Sequence, residues 1–362
     1  MKKCIAFTLC LCMMFGLFGC AQKDDRVTIN VYNWGQYISE GNDGCIDVIR
    51  EFEKAYPNIK VNYATFDSNE TMYAKMAGGG ITVDVIIPSD YMVDRLIEEN
   101  MLMELNFDNI PNAKNIAPFF RENLTFDPEQ KYSVPYAWGV VGIIYNSKYV
   151  AEEDVTGWEL LWNEKYEDKI LMFDNSRDAF CIAQKRLGYK VNTHDPQELL
   201  RCAELLAEQR PIVQQYIMDQ VFDLMENEEA WIAPYYAGDF LTMAEENENL
   251  RFYLPVEQGH NVFVDAMCIP TCCEEKEAAE LFINFVCDPE IAGGNMDWIC
   301  YYTPLSEESG VAEYMEEELA QDSFTYPDNL ENVYEALPRE TTRLMEELFM
   351  QVRNRVPIHL PE

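Results

Sequence analysis

The chain has 362 residues, room for two domains of ordinary size, and nearly half of them are hydrophobic, enough for a large core. It carries 64 Asp plus Glu against 27 Lys plus Arg, a formal net charge of -37. A surface of that sign repels phosphate backbones and attracts cations, which excludes nucleic acid as a partner, although most of the charge serves solubility.

Lys2 and Lys3 form a basic start, and residues 4–19 are apolar apart from Thr8. This run is too short for a spanning helix and has the make-up of a signal peptide. It ends in Leu17-Phe18-Gly19-Cys20, a pattern that resembles a bacterial lipobox. Residues 1–19 are therefore expected to be removed. Cys20 is expected to take lipid and, with a linker over 20–26, to hold the body at an outer membrane face. No later segment is long and apolar enough to span a bilayer. Eight cysteines remain after Cys20, with no C-x-x-C pair and no nearby His to suggest zinc. They are expected to be buried as small hydrophobes.

Residues 27–32 alternate as a strand. The apolar face Ile46, Ile49, Phe52 and Tyr56 marks a helix that Pro57 and Asn58 stop. Residues 59–66 read as a second strand, and 70–77 as a helix ended by three glycines. A buried strand follows at 83–87 and a helix at 91–99. This strand–helix alternation predicts a mostly parallel sheet. A second unit starts with extended chain at 136–145. It continues with a short helix at 158–162, a strand at 169–173, helices near 179–187, 195–209 and 217–227, and strands at 230–235 and 251–255. Residues 261–270 are apolar and extended. Helices at 274–286, after Pro289 and at 340–353 complete the chain. There is no tandem repeat and no long linker, so the two units are expected to pack closely.

Ligands of open parallel sheets lie beyond the carboxyl ends of the strands. Trp34 and Tyr37 follow the first strand, Asp67 and Asn69 the second, and Ser89, Asp90 and Tyr91 the third. In the second unit Asp174, Asn175 and Asp178 follow Phe173, and Tyr235, Tyr236 and Asp239 follow Ala233. Ring faces beside carboxylates suit a linear amine: the rings cover its methylenes at ~0.5–2 kcal/mol per cation–π contact, and the acids pair with its ammonium ends. Each residue also has a structural reading. Trp34 could be core, Asp67 and Ser89 helix caps, and Asp178 an acid in a helix first turn. Asp265 is harder to place structurally, because an acid between Val264 and Ala266 in an apolar strand needs a partner.

The stretches VYNWGQY, SNETMYAKM, DVIIPSDYMVDRL, YSVPYAWGVVGIIYN, KILMFDNSRDAF, APYYAGD, FVDAMCIP and YYTPL resemble those of the bacterial spermidine/putrescine-binding proteins of polyamine ABC transporters, from about Thr28 to the last helix. The resemblance implies an α/β, two-lobed periplasmic-binding-protein fold of type II kind, each lobe a mostly parallel sheet flanked by helices, with no catalytic activity, cofactor or metal. Lobe 1 is expected at 27–137 plus 261–315 and lobe 2 at 138–260 plus 316–362, with crossings near 138 and 260 as the hinge. By the same resemblance Trp34 and Tyr37 form an aromatic wall of the cleft, Ser89 and Tyr91 line it, and Asp178 and Asp265 bind ammonium groups. Tyr301 is a cleft tyrosine. Asn175 stands where a relative has a second acid, and Tyr236 and Phe263 where relatives have Trp. A polar residue from the C-terminal region is also implied, without a position. The implied partners are spermidine or putrescine, permease subunits with their ATPase, and the membrane through Cys20, for a monomeric protein. Two other readings stay open: a protein of the same fold for another small cationic or polar solute, or a surface adhesin or sensor. Iron is a weak fit, because His194, His260 and His359 are scattered. The sequence contains no G-x-S-x-G, H-E-x-x-H or phosphate-binding glycine loop of an enzyme.

Overall fold

A computed structural model describes residues 26–327 and 330–360. The expected signal peptide and Cys20 lie outside the described residues.

The first unit contains β1 (Val27–Trp34), α1 (Val48–Ala55), β2 (Ile59–Phe66), α2 (Asn69–Ala77), β3 (Val85–Ile86), α3 (Asp90–Glu98) and α4 (Pro118–Asn123). Local chemistry starts the helices. Asp47 accepts from the Arg50 amide to cap α1, and Ser68 with Thr71 forms a capping box on α2. The long strand β4 (Ser133–Asn146) is buried along its whole length and leads into the second unit. There follow β5 (Ile170–Phe173), α5 (Ser176–Leu187), α6 (Pro196–Gln209), β6 (Val213–Ile217), α7 (Val221–Glu226), β7 (Ile232–Tyr236), α8 (Ala237–Glu246) and β8 (Leu250–Tyr253). β9 (Val262–Cys268) returns to the first unit, where α9 (Lys276–Val286) and α10 (Pro289–Ile299) pack. α11 (Glu317–Ser323) and α12 (Arg339–Arg353) close the chain.

The strands join in the order β2-β1-β3-β9-β4-β7-β5-β6, with β8 also on β4. Each lobe has the expected parallel part: β1 with β2 and β3 in lobe 1, β5 with β6 and β7 in lobe 2. The crossing strands add antiparallel pairs, β9 with β3 and β4, and β4 with β7 and β8, so the sheets are mixed. β4 pairs with β9 up to Val140 and with β7 from Val141, which places its change of lobe between those two residues.

The structure has two large apolar cores, one in each lobe. The first holds Trp138, Val140, Leu330 and Val333; the second holds Val141 and, from the last helix, Met345, Leu348, Phe349 and Val352. Trp138, Val140, Leu330 and Val333 thus pack with lobe 1, although their positions fell in the spans assigned to lobe 2 from sequence. The tail from Ser323 onward also touches lobe 1: the Thr303 amide donates to Ser323 Oγ, and Tyr326 stacks on Phe119 at 4.8 Å.

The helix expected at 217–227 is present but shortened to α7 (Val221–Glu226), β6 before it was not expected, and the short helix at 158–162 is a three-ten turn. Among the described residues all eight cysteines are free. Cys181, Cys202, Cys268 and Cys287 are buried, as expected, but Cys45 is exposed.

Candidate functional site

The carboxyl ends of the parallel strands from both lobes face one another across the β4/β9 crossing. Close approach there depends on missing side chains. A Cβ on Gly139 of β4 would lie 2.6 Å from the Phe263 ring, and one on Gly238 would lie 2.6 Å from the Tyr301 ring. Glycine lets the two rings settle directly onto backbone.

Asp265, on β9, is 5 % exposed. The Tyr37 hydroxyl donates to its Oδ2 at 2.8 Å, and Ser89 faces it in an isolated antiparallel bridge. Its Oδ1 is buried with no hydrogen-bond partner among the described residues. Other buried acids of this lobe are satisfied by backbone. Asp127 accepts from the amides of Lys131, Tyr132 and Ser133, and Asp84 from those of Asn30, Glu274 and Glu275. Those two are structural; Asp265 is left with an open acceptor. Burial pushes its carboxyl up to about 6, with the nearby Ser89 and Tyr37 side chains opposing the shift.

From lobe 2, Asn175 caps α5 by accepting from the Asp178 amide at 2.8 Å. The Asn175 side-chain amide also donates to Asp178 Oδ2 at 2.7 Å. The same oxygen accepts from the Tyr236 hydroxyl at 2.7 Å, and Oδ1 accepts from the Tyr334 hydroxyl at 2.9 Å. The Tyr236 ring meets Phe263 at 5.5 Å, Phe263 meets Tyr301 at 6.0 Å, and Tyr301 meets Tyr37 at 5.0 Å. An aromatic chain therefore runs from the acid of one lobe to the acid of the other. Tyr91 joins through its edge contact with Tyr334 at 6.3 Å, and its hydroxyl donates to Glu70. Ser89 precedes α3 without a side-chain capping bond.

Nine of the ten residues that the resemblance placed in the cleft thus meet in one network. Trp34 is the exception: it packs on Phe66 at 4.6 Å, with its indole nitrogen buried and unpartnered among the described residues.

Two further participants lie outside those ten: Asp239, noted from the sequence only for its place after Ala233, and Tyr334, which was not noted. Asp239, in the first turn of α8, accepts from the Tyr301 hydroxyl at 3.0 Å. Burial pushes its carboxyl up to about 7, helped by Asp219 and opposed by Tyr301. Its place after the end of β7 was a usable signal. Tyr334 lies in a segment that ties the lobes together. The Ala336 amide donates to Asp94 of lobe 1 at 2.8 Å, while the Glu335 amide donates to Asn192 of lobe 2 at 3.1 Å. No local pattern in the sequence marks Tyr334. It is stacked under the Arg177 guanidinium at 4.5 Å.

Asp178, Asp239 and Asp265 form no ion pair with Lys or Arg among the described residues. No three His, Cys, Asp or Glu side chains there gather as a metal set. The arrangement can do one thing well: hold positive charge at both ends of a short apolar path. Removing the Tyr334 hydroxyl deletes one donor to Asp178 from outside the α5 loop. A hydrogen bond to a charged group contributes about 1.5–3 kcal/mol. Tyr334→Phe is therefore expected to weaken cleft ligand binding roughly tenfold with little change in melting temperature. Unchanged affinity in titration would remove Tyr334 from the site.

The sequence profile described as bacterial extracellular solute-binding protein matches residues 47–320. A spermidine/putrescine-binding periplasmic protein of Salmonella typhimurium is 32% identical over 309 residues, covering 85% of each chain. The putrescine-binding periplasmic protein SpuD of Pseudomonas aeruginosa is 29% identical and covers 98% of this chain and 99% of its own. Among solved structures, the spermidine/putrescine ABC transporter substrate-binding protein PotD from Streptococcus pneumoniae superposes with a TM-score of 0.76 at 33% identity, over 91% of this chain and 99% of that one. The TpPotD lipoprotein of Treponema pallidum gives 0.79 at 25% identity, over 91% and 100%. With its two mixed-sheet lobes and its network between them, the chain belongs to the bacterial extracellular solute-binding proteins, in the branch of the spermidine/putrescine-binding proteins, and is not an enzyme.

Proposed function

We propose that the protein captures a short linear polyamine, putrescine or spermidine, outside the cytoplasm and delivers it to the permease and ATPase of an ABC transporter. The observation that carries this reading is the open acceptor of Asp265. A buried carboxylate without a cationic side chain or backbone amides is costly unless a ligand supplies the positive charge. Asp178 and Asp239 offer further negative ends, and the rings of Tyr37, Tyr236, Phe263 and Tyr301 cover the path between them. A sugar would use the rings but has no charge for the acids.

Calorimetric titration with putrescine, cadaverine, spermidine and spermine tests the reading. Saturable one-to-one binding of at least one amine is the expected result, and absence of heat with all four would overturn it.

The Cys20 pattern supports membrane tethering, and a lipoprotein stands among the structural relatives. Mass spectrometry of the native protein is expected to find a diacylglyceryl group on an N-terminal Cys20, with residues 1–19 gone. An unlipidated N-terminus elsewhere would reject the anchor.

A further inference from the structure

The outer edge of lobe 2 carries a local patch of positive charge. β6 is the last strand of the sheet. Beside it lies a cavity of about 420 Å³, lined by Arg210, Gln214 and Tyr216 from one side and by Arg353 and Asn354 from the end of α12. The two guanidiniums converge on a single ring: Arg210 Cζ is 5.3 Å and Arg353 Cζ 5.6 Å from the centre of Tyr216. Arg355 acts on the same phenol, and Asp174, which pairs with Arg353, is the acid that faces it. Three cations against one anion leave local positive charge in a chain whose net charge is -37.

The lining is also short of partners. Arg210 Nε, Gln214 Oε1 and the Tyr216 hydroxyl are buried and make no hydrogen bond among the described residues. Tyr216 is only 9% exposed, so water does not readily stand in. Unmet donors such as Arg210 Nε and the Tyr216 hydroxyl in a roomy basic pocket are what an oxyanion satisfies: guanidinium forks match its oxygens, and a phenol adds a neutral donor. The Gln214 amide can turn to present its NH2.

We propose that this pocket is an anion site, separate from the cleft, that takes a small tetrahedral oxyanion such as inorganic phosphate or sulfate. Arg210 and Tyr216 supply the free donors, and Arg353 supplies charge while it holds Asp174. The site does not depend on the polyamine reading, since none of its donors touches the cleft network.

The test is titration of the purified protein with inorganic phosphate, with sodium chloride at equal ionic strength as the control for screening. The expected result is one saturable phosphate per chain with millimolar or tighter affinity, displaced by sulfate and not by chloride. Arg210→Gln weakens phosphate at least tenfold, and Tyr216→Phe severalfold, while both bind polyamine as wild type does. Tyr216→Phe removes only an unpartnered hydroxyl, so it decides the matter if Arg210→Gln does not fold. A phosphate response no larger than that of chloride overturns the site. So does undiminished phosphate affinity in Tyr216→Phe.

Discussion

Asp265→Asn is expected to weaken polyamine binding by about 30-fold or more, because truncating one side of a buried, hydrogen-bonded charge pair costs ~2–5 kcal/mol. Asparagine keeps the shape and an oxygen for the Tyr37 hydroxyl, so the lobes are expected to fold. The same substitution is expected to raise the melting temperature of the ligand-free protein at pH 7.5. The sign follows from the raised carboxyl. Asp265 sits at about 6 in the fold against an ordinary 3.8. The folded state therefore holds its proton more tightly, so this group's contribution to stability is full below about 3.8 and is lost as pH rises through about 6. The loss is on the order of 3 kcal/mol at most. Asparagine abolishes it, so the gain in melting temperature is expected to shrink at pH 4. For the wild type, polyamine affinity is expected to fall as pH drops below about 6, where the carboxylate is protonated before it can meet an ammonium group. Titration at pH 5 and 7.5, with thermal melts of both proteins, checks the set. An Asp265→Asn protein that binds spermidine and putrescine like wild type would mean that the cleft is wrongly assigned. One that loses stability at pH 7.5 would give Asp265 a structural role.

Asp178→Ala is expected to do more damage. Asp178 collects donors from three places: Asn175 before α5, Tyr236 at the end of β7, and Tyr334 in the segment between the lobes. Alanine strands all three at once, two of them phenols in contact with rings of the facing lobe. Orphaned buried donors cost about 1–3 kcal/mol each, and the ligand loses a counter-charge as well. Polyamine affinity is expected to fall roughly 100-fold or more, together with the melting temperature. Asp178→Asn preserves the size and part of the acceptor set, and is expected to cost less than Asp265→Asn. Titrations of both variants beside circular dichroism measure this. Wild-type affinity in Asp178→Ala would detach lobe 2's acid from the ligand.

Each variant reports on a different lobe, and the order of effects separates charge from framework. Asp265 has one donor and an open oxygen, so its loss is chiefly electrostatic. Asp178 has donors on both oxygens, so its loss also loosens the contact between lobes.

What the sequence by itself determined rests on period and local chemistry. Alternation and unbroken apolar runs located β1, β2, β5, β7 and most of β4, because strand burial repeats every two residues or covers both faces. An apolar face with a stop at Pro57 located α1, and a glycine stop located α2. The abrupt acid in NVFVDAMCIP exposed Asp265, since a charge inside an apolar strand has few structural excuses. Asn175 and Asp178 were legible as residues just beyond a strand end. β6 was missed because Gln214 and Gln215 interrupt its alternation at an edge strand that is only partly covered.

Only the tertiary structure decided the rest. Antiparallel pairing of β9 with β3 and β4 depends on how the chain crosses between lobes, which no local pattern encodes. The membership of Leu330 and Val333 in the first core depends on where a distant tail packs. Tyr334 is an ordinary tyrosine in sequence, and becomes a donor to Asp178, 156 residues away, when the lobes meet. The basic pocket at β6 is equally nonlocal, since Arg210 and Arg353 come from separate helix ends and converge on Tyr216 only in the fold. Periodicity records which face of an element is buried; it does not record what that face is buried against, and the partners of Asp178 and Tyr216 are facts of that second kind.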